Sequence, residues 1–166
     1  MVTLLVMRHA KSSWNTGVED SLRPLNKRGR RQGNAARQYL AEQHPSIDTV
    51  LCSPSTRTRQ TWKLVQDAGI DGPVTYVDDI YEAGVTNLIA AVRTLGDGET
   101  VLLIGHFPGA HDLVEYLAEP DGSQAWEKLD DGFVTSSIAT LTIPVPWGRV
   151  NEGCGRLTSF VAPGRE

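Results

Sequence analysis

Apolar and polar positions along this chain switch between two periods. Val2 to Met7 is apolar except for Thr3, and it is rich in β-branched residues and too short for a helix. Such a run reads as a strand buried on both faces. Thr100 to Gly105 reads the same way, and Ile47–Cys52 and Val74–Val77 read as shorter strands. Helical spacing fills the intervals. A helix opens at Leu25 or Asn26 and runs to about Gln43, with Ala35, Ala36, Tyr39 and Leu40 on one face and Pro45 ending it. Ser53-Pro54 predicts a second helix, with serine as its cap and proline at its first position, reaching about Ala68. Residues 86–95 form an amphipathic helix stopped by Gly96-Asp97-Gly98, and Pro108 to Ala118 forms another. Residues 119–131 read as a polar loop, and Phe133–Ile143 reads as a strand. Pro144–Gly155 is an excursion, and Leu157–Val161 is a last, edge strand. Strands alternating with helices predict one domain over residues 1–166, an α/β/α three-layer sandwich around a mainly parallel sheet.

Composition narrows the class. An apolar content of 40% with 22% charged residues suits a soluble domain with a sizeable core. No run approaches the roughly 18 apolar residues of a membrane span. Leu4–Met7 has no basic residue before it and is cut off by Arg8, so it does not read as a signal peptide. The expected location is the cytoplasm, and a monomer is expected. Two cysteines, Cys52 and Cys154, are too few for a disulfide framework or a structural zinc site.

A net charge of −4 argues against nucleic acid as partner, but the charge is unevenly spread. Residues 1–63 hold 11 Lys/Arg against four Asp/Glu, and the rest of the chain holds five against 16. Many of these cations read as the solvated face of the first long helix. Arg8, Arg23 and Arg57 do not, since each follows a strand or lies in a loop. A local cationic cleft on an acidic protein selects a small or local anion.

Chemistry converges on strand ends. In open α/β sheets, ligands bind beyond the carboxyl ends of the strands. The first strand ends in Arg8-His9, followed by Ser12 and Asn15; the 100–105 strand ends at His106; Cys52 leads into Ser53 and a helix start carrying Arg57; and Ile80–Ala83, with Glu82, follows the third strand. Helix N-termini attract anions, and arginine supplies a bidentate fork for phosphate. Two arginines and two histidines around one anion suit phosphoryl transfer, in which neutral imidazole is a competent nucleophile.

Leu5-Val6-Met7-Arg8-His9-Ala10-Lys11-Ser12-Ser13-Trp14, with Arg23-Pro24-Leu25, Arg28-Gly29, Ser53-Pro54-x-x-Arg57-x-x-Gln60-Thr61 and Gly105-His106-x-Pro108, resembles the histidine phosphatase superfamily. The small size and the Arg-Pro-Leu element resemble its compact SixA-like branch of phosphohistidine phosphatases. The resemblance implies a phosphoglycerate mutase-like fold with no metal and no cofactor. It implies His9 as the phosphorylated nucleophile, Arg8 and Arg57 as phosphate grips, and His106 as the second pocket histidine. Asn15 stands where mutase-like members place a phosphate ligand, and Arg23 and Ser12 are further candidates for substrate contact. Glu82 lies where many members place the proton donor; its other reading is an exposed acid beside a buried Tyr81. Ser136 and Ser137 resemble a segment that returns toward the pocket, with a backbone role. Phe107 replaces the Asn common after the second histidine. The insertions that cover the pocket in sugar-phosphate members are missing, which favours a phosphohistidine displayed on a protein over a small phosphorylated substrate.

Three other classes compete. Cys52 precedes Arg57 by four intervening residues and Arg59 by six, whereas a thiolate cradled by its own loop needs five. His106 and His111 are not on one helical face and lack a carboxylate triad, which argues against a metal hydrolase. A non-catalytic module binding a phosphorylated partner remains open, since fold does not fix function.

Overall fold

The computed structural model describes residues 1–165, and the apolar runs of the sequence form its sheet. Strand β1 is Val2–Arg8, β2 is Thr49–Cys52, β3 is Val74–Tyr76, β4 is Thr100–Gly105, β5 is Ile138–Ile143 and β6 is Arg156–Val161. They pair in the order β3-β2-β4-β1-β5-β6. The first four run parallel, while β5 pairs antiparallel with β1, and β6 with β5. The last strand is at an edge, as its sequence suggests.

Alternation along β1 and β4 builds the layers. Leu4, Val6, Val101 and Leu103 enter one core, and Leu5, Met7, Leu102 and Ile104 enter the other. Helices α1 (Lys27–Gln43) and α2 (Thr56–Val65) cover the second face through Ala36, Leu40, Trp62 and Val65. Helices α3 (Val85–Arg93), α4 (Gly109–Leu117) and α5 (Gln124–Asp130) cover the first through Leu88, Val92, Leu113, Leu117, Trp126 and Leu129. Strands with both faces covered must be continuously apolar, which is why β1 and β4 carry no interior polar alternation. Among the described residues, no helix is long and apolar enough to cross a membrane.

Several boundaries differ from the sequence expectation. Residues 119–131 are not all loop: α5 forms there because Ala125, Trp126 and Leu129 present one apolar face to the core. Strand β5 begins at Ile138 rather than Phe133. Ser136 has φ 67°, and its N–H donates to the carbonyls of Arg8 (3.1 Å) and His9 (3.0 Å), which interrupts any ladder. Helix α2 is capped by Ser55, which accepts from the Thr58 N–H, so Ser53 and Pro54 stay outside the helix. Asn26 caps α1 by accepting from the Gly29 N–H. Gly29 lies so close to the chain at Lys11 that a Cβ would come 2.0 Å from the Lys11 carbonyl oxygen. That contact seats the long first loop against α1.

Candidate active site

Parallel register brings the chemistry to one edge. Arg8 pairs with Gly105 and Cys52 with Ile104, so the ends of β1, β4 and β2 lie side by side. His9, His106 and Ser53 therefore follow one another across the carboxyl edge of the sheet. They open into a pocket of about 280 Å³ lined by Arg8, His9, Ser12, Arg23, Arg57 and His106, with Lys11, Trp14, Asp20, Glu82, Phe107 and Thr135 around them. Four cations face two carboxylates there, which leaves a positive site on an acidic chain. A cleft of about 450 Å³ between Tyr39, Lys128 and Arg165 is larger but has no such convergence.

His9 is buried, and its Nδ1 lies 2.7 Å from the Ala10 carbonyl oxygen. A carbonyl only accepts, so Nδ1 carries the proton and Nε2 keeps its lone pair. Burial drives the ring's pKa down to about 3; His106, Arg57 and Arg8 add to this, and the Ala10 contact opposes it. His9 is neutral across the physiological range.

Polar side chains of α1 and α2 hold the loop in place. The Ala10 N–H donates to Thr61 Oγ1 at 3.0 Å, and that hydroxyl donates to the Arg57 carbonyl at 2.7 Å. Gln60 Oε1 accepts from the Leu25 N–H, and Gln32 Oε1 from the Lys11 N–H. Gln60 and Thr61 thus tie the first turns of α2 to the segment that follows His9.

His106 sits 2.8 Å from Ser53 Oγ through Nε2, and 3.4 Å from Arg57 Nη2 through Nδ1. Arginine only donates, so Nδ1 accepts and Nε2–H donates to the serine. Burial first and Arg57 second lower His106 to about 4, against an opposing pull from Asp20. Arg8 donates through Nη1 to the Phe133 carbonyl at 2.9 Å, which orients its guanidinium. The Nε–H groups of Arg8 and Arg57 are buried without a hydrogen-bond partner. An anion that accepted from them would offset that cost.

The other expected residues divide. Ser12 Oγ accepts from Arg23 Nη1 at 2.8 Å, and the Ser13 carbonyl accepts from the same nitrogen at 3.2 Å. Arg23 is buried beneath Trp14, whose ring lies 3.7 Å from the guanidinium carbon and is itself 70% exposed. Arg23 is therefore a buried clamp of the loop as well as a pocket residue. Glu82 is exposed at the rim in the left-handed region, with φ 52°. Asn15 is exposed and does not line the pocket. Ser136 and Ser137 hold the strand end through their backbones, the latter accepting from the Arg8 N–H, and the Ser136 hydroxyl also donates to the Gln32 carbonyl at 3.4 Å. Cys52 is a core residue whose thiol burial pushes up to about 12, far from a thiolate nucleophile. Among the described residues, no group of three His, Cys, Asp or Glu side chains is placed to hold a metal ion.

Sequence reasoning missed Asp20 and Tyr81. Asp20 Oδ1 accepts from Arg23 Nε at 3.1 Å, and Oδ2 accepts from Arg57 Nη2 at 3.0 Å and from the Tyr81 hydroxyl. Tyr81 also meets His106 edge to face, with centroids 5.4 Å apart. The acid three residues before Arg23 was the one local signal, and only the fold brings it to Arg57.

The chain is similar to known proteins over most of its length. Residues 4–88 match the family model described as histidine phosphatase superfamily (branch 1). An uncharacterised protein of Mycobacterium tuberculosis is 39% identical over 160 residues, which span 95% of this chain and 99% of that one. The protein named SixA from Nakamurella multipartitia superposes with a TM-score of 0.86 at 32% identity, covering 98% of this chain and 96% of its own. The protein histidine phosphatase SixA complexed with tungstate superposes at 0.79 with 25% identity, covering 98% and 97%.

Proposed function

Since the chain belongs to the histidine phosphatase superfamily, we propose that it is a metal-independent phosphatase that works through a phosphohistidine on His9 and removes phosphoryl groups from phosphohistidine on a protein. One observation carries the mechanism: a buried, neutral imidazole with its Nδ1 proton committed to the Ala10 carbonyl and its Nε2 lone pair free, in a cationic pocket. Such a group needs no activating base, unlike serine.

Nε2 of His9 attacks phosphorus, and a new P–N bond forms as the bond to the leaving nitrogen breaks. The electron pair goes to the leaving imidazole, which takes a proton from solvent water. Arg8 and Arg57 neutralise the equatorial oxygens, where most of the charge resides. The dianion beside His106 favours protonation of Nδ1, which turns that ring from an acceptor into a donor toward the same oxygens. Water then attacks phospho-His9 and restores the neutral ring with release of inorganic phosphate.

The protein substrate is supported by the rim. Trp14 and Phe107 stand exposed beside the pocket, 70% and 48% accessible. The SixA neighbour bound to tungstate, a tetrahedral oxyanion, supports an anion pocket in this fold. A small-molecule phosphomonoesterase is the second reading, favoured by Glu82 at the rim, where an alkoxide leaving group would need a proton.

Brief reaction of the full chain with ³²P-labelled phosphohistidine protein, quenched in alkali, tests the central step. Acid-labile label is expected on His9 in the wild type and none in His9→Ala, which stays folded but inactive. Turnover with no label, or label elsewhere, refutes the mechanism.

A further inference from the structure

Asp20 lies on the turn Asp20–Leu22, which buries no residue, yet its carboxylate reaches both buried arginines of the pocket. We propose that Asp20 is an internal rival of the phosphoryl group for Arg57 and Arg23: substrate enters by displacing its carboxylate, and inorganic phosphate leaves as the carboxylate returns. This rests on the pocket taking a phosphoryl group, and it names the residue that sets how tightly that group is held.

The hydrogen bonds of the two arginines divide into anchors and exchangeable donors. Arg57 Nη1 donates to the main-chain carbonyl of Asp20 at 2.7 Å, while Nη2 donates to the side-chain Oδ2. Arg23 Nη1 donates to Ser12 Oγ and the Ser13 carbonyl, while Nε donates to Asp20 Oδ1. Each guanidinium thus has Nη1 fixed by groups other than the carboxylate, while the carboxylate holds Arg23 Nε and makes the shorter contact of Arg57 Nη2, which also reaches His106 Nδ1 at 3.4 Å. Rotation about the Asp20 Cα–Cβ bond withdraws the carboxylate from Nη2, Nε and the Tyr81 hydroxyl together, leaving Nη2 with its longer contact to His106 Nδ1. It leaves the main-chain bond to Nη1 intact, so Arg57 stays in place as its fork passes from carboxylate to phosphoryl.

Charge makes the exchange competitive. The Tyr81 hydroxyl, and then Arg57 and Arg23, hold the Asp20 carboxyl down to about 2, so it is anionic throughout the working range. Two anions on one fork repel, and a phosphoryl group must win Nη2 from a charged rival rather than from water. The Asp20 side chain is 42% exposed, which leaves it a solvated side toward which to turn. A pocket of four cations without this rival would hold inorganic phosphate, its own product, more firmly.

Calorimetric titration of inorganic phosphate into the full chain tests this without turnover. Asp20→Asn keeps the shape and removes the charge, and Asp20→Ala removes the group. Both are expected to bind phosphate about five- to tenfold more tightly than wild type, the scale of one partly exposed ion pair. Unchanged or weaker binding in the folded variants overturns the proposal, because it makes Asp20 a brace that holds the arginines. If one variant fails to fold, the other decides. Absence of phosphate binding in wild type and both variants refutes the phosphate pocket itself, an outcome separate from loss of the rivalry alone.

Discussion

The rings of His9 and His106 stand 5.3 Å apart between centroids, tilted by 58°, at the ends of two adjacent parallel strands. Each is buried, and each lies within the field of Arg57 and Arg8. That placement keeps both imidazoles neutral in the free protein.

The sign of the pH effect follows. Both folded pKa values, about 3 and about 4, lie below the ordinary 6.5. The unfolded chain therefore takes up protons first as pH falls. Stability from these groups is full above pH 6.5 and is lost as pH drops toward 4 and then 3, with a limiting slope of about 1.4 kcal/mol per pH unit per histidine. Urea unfolding across this range should show the loss, and His9→Ala should flatten it. The carbon NMR shift of the His9 ring should stay constant from about pH 8 to about pH 5; a midpoint near the ordinary histidine value would contradict its burial.

Arg57→Lys should lower kcat/KM by about 10- to 100-fold, the cost of one or two charge-assisted hydrogen bonds. Lysine is a point charge and cannot replace both the Nη1 bond to the Asp20 carbonyl and the Nη2 donor. Arg8→Lys should behave likewise, since the Arg8 guanidinium is oriented through its Nη1 bond to the Phe133 carbonyl. Circular dichroism checks that both variants remain folded. Near wild-type kcat/KM in both would place these arginines outside the phosphate site.

Glu82→Gln separates the substrate classes. An alkyl phosphate leaves as a poor alkoxide, and a general acid typically contributes ~10²–10⁴-fold to its departure. A phosphohistidine leaves as imidazole, which protonates near neutrality without that help. The variant should slow alkyl phosphate hydrolysis strongly and phosphohistidine hydrolysis by less than about threefold. Equal losses on both would assign Glu82 to positioning. A wild type with higher kcat/KM on alkyl phosphates would favour the phosphomonoesterase.

Much of the fold was legible because its signals are local. Leu4 to Met7 alternate between two cores, so a strand buried on both faces had to be written as an apolar run. Parallel strands collect their carboxyl ends at one edge, which is why Arg8, His9 and His106 could be placed together before any contact was known. The helix at Gln124–Asp130 was missed because its three apolar positions sit among polar residues, and they make a helix only with the core to pack against. Strand β5 was begun too early because alternation carries no sign of the positive φ at Ser136, which arises where that residue's N–H turns to the Arg8 and His9 carbonyls.

The chain by itself determined which elements form and which imidazoles and guanidinia stand at their ends, since periodicity, caps and strand termini are properties of neighbouring residues. Tertiary structure alone decided what those groups do to one another. It set the strand order that puts Ser53 beside His106, the burial that strips His9 of its second proton, and the meeting of Asp20 with Arg57 and Tyr81, 37 and 61 residues away. Such pairings depend on which distant segments share an edge of the sheet, and no local pattern of hydrophobic and polar residues encodes that distance.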